Sequence, residues 1–263
     1  MSESPPLTES SPADTEWQDE IASKGNLPRH IAVIPDGNGR WALSRGFARN
    51  EGHRRGVEAV RNLVRVSAQL DIEVLTLFVF STENWSRPRI EVRALMHLLR
   101  EKLLAETEEL DDKDVRVVVS GRAHELPGPS YEALQETIAR TENNKGLILN
   151  LAINYGGRAE LVDALKRIVE EGIDPDEITE DLISRYVYHP ELPDPDLLIR
   201  ASGEQRMSNF LLWEMTYTEV VVTDVLWPDF SRRDFYEAIS EYQSRERRFG
   251  KTGKQSAPKV GAD

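Results

Sequence analysis

The first residues here that could do chemistry are one carboxylate and the cations that follow it. Asp36 stands in Pro35-Asp36-Gly37-Asn38-Gly39, and Arg40, Arg45, Arg49, Arg54 and Arg55 come next, with His53 among them. The two glycines around Asn38 mark a tight turn whose backbone can approach a ligand closely. A single acid beside a run of guanidinium groups suits a metal ion and a polyanion held together, such as a magnesium-bound diphosphate. Two more clusters repeat the theme. The run Ser81-Thr82-Glu83-Asn84-Trp85-Ser86-Arg87 carries hydroxyls, an acid, an amide and a cation, and the run from Arg200 to Ser208 adds Arg200 and Arg206. Guanidinium binds phosphate oxygens in pairs, so Arg40, Arg49, Arg87, Arg200 and Arg206 suit two diphosphates rather than one.

Each cluster follows a short apolar run that reads as a buried strand, at 31–34, 74–80 and 197–199. Ligands of open α/β sheets bind at the carboxyl ends of strands. Further strands are expected at 115–119, 147–153 and 220–222. Helices are expected at 52–70, 92–110, 131–141, 159–171, 177–187 and 231–248, with a tight turn at 36–41 and another at 154–158. The alternation predicts an α/β fold: a single domain with a mainly parallel six-stranded sheet flanked by helices on both faces. The loops 36–41, 81–87 and 200–208 then share one rim. Residues 1–26 read as a disordered tail, through Asp14, and a short helix; 27–250 form the domain and 251–263 a second tail. Val57, Val60, Leu63, Val64 and Leu70 are expected to face the core. Leu95, Met96, Leu99 and Leu103 share one face of the next helix, and Leu98 and Leu104 widen it beyond one core contact.

Composition narrows the function. The 263 residues suffice for one large α/β core. No cysteine is present, so disulfides and thiolate metal sites are excluded. The net charge of -13 argues against nonspecific nucleic-acid binding. No apolar run approaches the ~18 residues of a membrane span, and no secretory signal is seen, which points to the cytoplasm. GNGRWA also fits the dinucleotide pattern G-x-G-x-x-G/A, but the acid expected about twenty residues on, at the tip of the second strand, is missing.

The segments HIAVIPDGNGRWA, GHRRG, FSTENWSRP, NYGGR, LIRASGEQRMSNFLLW and VLWPDF resemble the cis-prenyltransferase family, of the undecaprenyl diphosphate synthase type. The resemblance implies an enzyme that adds isopentenyl diphosphate to farnesyl diphosphate, using Mg2+ and working as a homodimer. Its product would be undecaprenyl diphosphate, delivered to the membrane for cell-wall synthesis, with the enzyme itself peripheral to the membrane's inner face. By resemblance, Asp36 and Glu219 bind magnesium, Glu219 near the dimer interface. Gly37, Asn38, Gly39 and Arg40 surround the allylic diphosphate, with Trp41, Arg49 and His53 beside them. Ser81, Thr82 and Glu83 bind substrate, with Trp85 and Arg87 adjacent, and Arg200, Arg206, Met207 and Ser208 bind isopentenyl diphosphate. Asn84 matches the residue given as proton acceptor. A neutral amide has negligible basicity, so Asn84 is expected to orient the isopentenyl unit while released diphosphate or Asp36 takes the proton.

Three positions depart from the family's pattern: Pro35 for Met, Ala201 for Thr and Glu214 for Gln. Ala201 is expected to cost a hydroxyl near the diphosphate. Other readings are a shorter-chain cis-prenyltransferase and a non-catalytic partner subunit, which the retained Asp36, Arg40, Arg200 and Arg206 oppose. A trans-prenyltransferase needs DDxxD, and Asp111-Asp112-Lys113-Asp114-Val115 lacks the last acid. A growing apolar chain needs an apolar tunnel, for which Leu95, Leu98 and Leu99 are the candidate wall.

Overall fold

A short run of branched apolar residues buried on both sides belongs in the middle of a parallel sheet. His30–Ile34 (β1) is such a run, with all five residues buried. The computed structural model of the chain describes residues 12–246. Its other strands are Val74–Ser81 (β2), Arg116–Ser120 (β3), Ile148–Tyr155 (β4), Leu197–Arg200 (β5) and Glu219–Val222 (β6). The sheet order is β3-β4-β2-β1-β5-β6, and every pairing is parallel. The three strands that precede the polar clusters are therefore neighbours, and Ile34 of β1 is in register with Arg200 of β5.

The helices are Pro12–Lys24 (α1), Asn38–Ser44 (α2), Arg49–Gln69 (α3), Arg89–Asp112 (α4), Gly128–Thr141 (α5), Gly157–Glu170 (α6), Glu180–Ser184 (α7) and Arg232–Ser244 (α8). Period-two alternation splits β1 between two cores. Ile31 and Val33 join a large one with residues of α1, α3, α4, α5 and α8. Ala32 and Ile34 join a smaller one, closed by Phe210, Leu211 and Met215 from the segment after β5. That covers both sheet faces.

Several boundaries differ from expectation. The expected tail at 251–263, the end of the helix expected at 231–248 and residues 1–11 of the expected N-terminal tail lie outside the described residues, but 12–14 are helical rather than tail. Ion pairing of Asp14 with Arg232 (3.2 Å) and stacking of Trp17 on Tyr236 tie α1 to α8. The expected turn at 36–41 is shorter: Gly37 takes φ +94°, which glycine permits, and α2 begins at once. A Cβ at Gly37 would also stand 2.8 Å from Leu226 Cδ2. Strand β4 continues through Tyr155, leaving Gly156 as the link to α6. The helix expected at 177–187 shrinks to α7, preceded by a 3-10 turn at Pro175–Glu177. In β2 the register shifts between Phe78 and Phe80, a bulge that re-aims the strand's end.

Candidate active site

The carboxyl ends of β1, β2 and β5 do meet at one rim. Asp36 directly follows the link from β1. Its Oδ1 accepts from the Gly37 N–H (2.6 Å) and its Oδ2 from Arg200 Nη2 (2.9 Å). Burial alone would raise its pKa, but Arg200, the Gly37 N–H and Arg40 together hold it below the ordinary value. Asp36 is therefore ionised at neutral pH. Arg200 is almost fully buried and also donates to Ser208 Oγ (2.8 Å) and the Arg206 carbonyl, so it fixes Asp36 and the following loop together. Four non-glycine residues of that loop, Ser202, Ser208, Asn209 and Leu211, have positive φ. Such strain persists only where surrounding contacts dictate it.

The remaining cations lean on acids that sequence reading missed. Arg40 reaches Asp36 (3.7 Å) and Glu204 (3.4 Å), and Glu204 also pairs with Arg206. Arg40 is held in turn by Ser202, through Oγ and the carbonyl. Across the rim, Glu91 of α4 takes both Arg87 (3.1 Å) and Arg49 (3.8 Å). Arg49 lies so close over Gly39 that a Cβ there would stand 2.9 Å from Nη2. His53 sits in the same corner. Burial, then Arg87, pushes its imidazole down to about 4, so it is neutral.

The 3-10 turn Thr82–Ser86 is a capping box in which Asn84 Oδ1 accepts the Ser81 N–H (3.2 Å). The Asn84 side-chain carbonyl oxygen is thus engaged by the backbone. Glu83 is bound by Asn209 Nδ2 (2.8 Å) and Thr82 (3.2 Å), tying the β2 and β5 loops together.

Behind the rim opens a cavity of about 1140 Å³. Its mouth holds Asp36, Asn84, Arg87, Arg200, Arg206 and Ser208. Deeper in, it runs between α3 and α4 over the sheet, walled mostly by apolar side chains such as Val60, Val64, Leu95, Leu98, Leu99 and Leu103, with Arg61, Arg65, Lys102, Glu106 and Glu109 also lining it. Leu95, Leu98 and Leu99 are where the tunnel reading placed them. Val57, expected in the core, is half-buried and lines the cavity instead; Val60 also lines it while packing against the main core.

Not every expected residue joins the cleft. Trp41 is buried behind α2 and donates to Asp229 (2.7 Å). Met207 packs into the smaller core. Trp85 donates to Asn154 (2.7 Å) and borders a separate groove, and Thr82 is turned toward Gly156. Glu219 opens β6 in register with Leu197, whereas Arg200, beside the rim, is in register with Val222. Three strand residues, about 10 Å, separate Glu219 from the rim, and Arg245 holds it at 2.9 Å. Within one chain Glu219 does not join Asp36. Among the described residues no group of three or more His, Cys, Asp or Glu could hold a metal unaided. One ionised carboxylate still fits magnesium, which takes its other oxygens from substrate phosphates and water. Of the departures, Pro35 needs no backbone donor where it lies, and its carbonyl accepts from Asn38 (3.0 Å). Ala201 is fully buried in the main core, so no hydroxyl is missing from the cleft. Glu214 lies beside Glu160 under the β5 loop, with Oε2 unpartnered. Burial, then the Glu160 charge, pushes its carboxyl up to about 8.

Comparison with known proteins agrees with this geometry. A family model described as putative undecaprenyl diphosphate synthase matches residues 34–250. An isoprenyl transferase of Heliobacterium mobile is 50% identical over 242 residues, covering 90% of this chain and 93% of that one. An isoprenyl transferase of Chlorobaculum tepidum is 47% identical over 252 residues, covering 94% and 95%. Among solved structures, lavandulyl diphosphate synthase from Lavandula x intermedia, in complex with dimethylallyl diphosphate, superposes with a TM-score of 0.81 at 36% identity, covering 89% of this chain and 100% of that one. A probable undecaprenyl diphosphate synthase from Campylobacter jejuni gives 0.74 at 32% identity, covering 86% and 100%.

Proposed function

The chain belongs to the undecaprenyl diphosphate synthase family of cis-prenyltransferases, and we propose that it extends farnesyl diphosphate with isopentenyl diphosphate to undecaprenyl diphosphate, the carrier-lipid precursor for cell-wall glycans. The observation that carries this reading is the cavity: about 1140 Å³ in all, with a cationic mouth and a mostly apolar lining behind it. Two anionic heads stay at the rim while an apolar tail leaves water as it grows, which each buried CH₂ favours by about 0.8 kcal/mol.

In this reading Arg40, with the Asp36–Gly39 turn, receives the allylic diphosphate, and Arg206 and Ser208 receive that of isopentenyl diphosphate. Each incoming phosphate takes its arginine from Glu204, which pairs with both Arg40 and Arg206. Magnesium held by Asp36 would supply charge for the leaving diphosphate, and the arginines add to it as preorganised donors. The Asn84 amide, oriented by its cap, holds the isopentenyl unit. Asp36, with both oxygens bonded and its pKa lowered, is a poor base. The released diphosphate, more basic, takes the proton.

The chain is further proposed to work as a homodimer in the cytoplasm. Val162, Leu165 and Val169 form an exposed apolar stripe on α6, a surface that a second copy would cover. No helix among the described residues is long and apolar enough to cross a membrane. The test is incubation with farnesyl diphosphate, labelled isopentenyl diphosphate and magnesium, followed by chromatography of the dephosphorylated products. A long polyprenol ladder that EDTA abolishes is expected. A ladder ending after a few units would support the shorter-product reading, in line with a structural neighbour named for lavandulyl diphosphate. No condensation at all would overturn both.

A further inference from the structure

Helix α4 shows two chemically different faces. One walls the cavity with Leu95, Leu98 and Leu99. The other carries Arg89, Arg93, His97 and Arg100, all exposed, at spacings of four, four and three residues. Such spacing makes a single stripe, about 16 Å long at 1.5 Å per residue. The stripe borders a groove of about 620 Å³ whose other side is Trp85, Pro127, Pro129 and Ser130.

Arg89, Arg93 and Arg100, and His97 between them, have no ion pair or hydrogen bond among the described residues, whereas every arginine expected at the active site has an acid. The acids nearest along α4 are engaged elsewhere, Glu91 by Arg49 and Arg87 and Glu101 by Lys102. In a chain of net charge -13, an unpaired cationic stripe serves no folding need. It is flanked by apolar groups in water: Ile90 is 72% exposed and Trp85 39%.

We infer that this face docks the protein on an anionic lipid bilayer. Basic residues along one helix face are attracted to anionic headgroups, and Trp prefers the membrane–water boundary. The groove between α4 and the Pro127–Ser130 turn can seat one headgroup phosphate while the other arginines reach its neighbours. Docking there sets the helix that walls the cavity against the bilayer. That consequence rests on the proposed polyprenyl product; the docking itself does not.

The full chain is sedimented with vesicles of pure phosphatidylcholine and with vesicles containing phosphatidylglycerol. Binding is expected only to the anionic vesicles and is expected to be lost in high salt, since exposed charges are screened. Each arginine near such a surface contributes about fivefold in partitioning, so Arg89→Glu/Arg93→Glu/Arg100→Glu should bind at least about a hundredfold more weakly. Arg93→Ala alone should lose about fivefold, which keeps the test open if the triple variant misfolds. Lys145→Glu, before β4, should bind as the parent does. Equal partitioning to both vesicle types, or unchanged binding by the triple and Arg93→Ala variants, overturns the proposal. So does a groove that binds inorganic diphosphate in titration, arginine-dependently, without vesicle binding; that would make it a small-anion site. Condensation measured in detergent on the same samples keeps the enzymatic reading separate: its failure in the parent chain would leave the vesicle result standing.

Discussion

Leu98→Trp separates a tunnel wall from an ordinary core position. Leu98 is half-buried and lines the cavity. Unlike Leu95 and Leu99, it is not among the side chains packed against the main core. A prenyl tail gains five carbons per condensation. At about 0.8 kcal/mol per CH₂ kept from water, a unit excluded from the tunnel forfeits about 4 kcal/mol. A barrier raised by that amount slows the step about a thousandfold. The variant should therefore run its early condensations near the normal rate and then stop, giving a sharp ladder of shorter products. If the position were plain core, overpacking would instead cost about 1–3 kcal/mol of stability and leave product length alone. Chromatography of the products and a melting curve, on one preparation, distinguish the outcomes. Full-length product from a destabilised variant would refute the tunnel reasoning.

Three other perturbations test the rim and its support. Asp36→Asn preserves the shape and much of the hydrogen bonding but removes the charge; turnover should fall at least about 10²–10³-fold, the scale of one electrostatic group, with little change in melting temperature, and near-normal rates would remove Asp36 from metal binding. Arg206→Ala, at an exposed side chain, should raise the KM for isopentenyl diphosphate by roughly 10–100-fold, a loss of about 1.5–3 kcal/mol for a charged hydrogen bond; equal weakening toward both substrates would refute a site-specific role. Glu214→Gln should stabilise at alkaline pH. The folded-state pKa is raised from 4.5 to about 8, so the contribution is fully present below the unfolded pKa and is lost as pH rises toward 8. At about 1.4 kcal/mol per pH unit, and with Glu160 sharing the titration, the variant should gain on the order of 2–5 kcal/mol at pH 8.5 and almost nothing at pH 4.5. A gain that is the same at both pH values would show that charge is not the cause.

The strands were legible because burial on both faces leaves little choice of residue: 31–34, 74–80 and 197–199 are mostly apolar runs that end abruptly at Pro35, Ser81 and Arg200. Boundaries were less legible where tertiary contacts decide them. Pro12 at the first helical position and Asp14 in the first turn are local start signals, but weak ones in a run of tail-like composition; the Asp14–Arg232 pair and the Trp17–Tyr236 stack, each spanning most of the chain, fix the helix in place. Val57 and Val60 have the spacing of core residues and are apolar, yet they face a cavity. Periodicity reports which face of a helix avoids water, not whether protein or a ligand's tail will cover it.

The acids of the site were the larger omission, and the reason is electrostatic. Sequence draws attention to Asp36 because it stands alone beside cations in one loop. Glu91 lies 42 residues from Arg49 and on a different element, so no spacing rule joins them. Glu204 lies between Arg200 and Arg206, where it passes for an ordinary loop acid. Each nevertheless satisfies two guanidinium groups that would otherwise repel one another across an empty cleft. The cleft is thus assembled with its charges already balanced. In the proposed reading a diphosphate enters by exchange, taking the arginines from carboxylates, so affinity depends on the difference between two partners rather than on the full strength of either. A site so arranged binds substrate without collapsing in its absence. The arginine stripe on α4, among the described residues, has no such acid to displace.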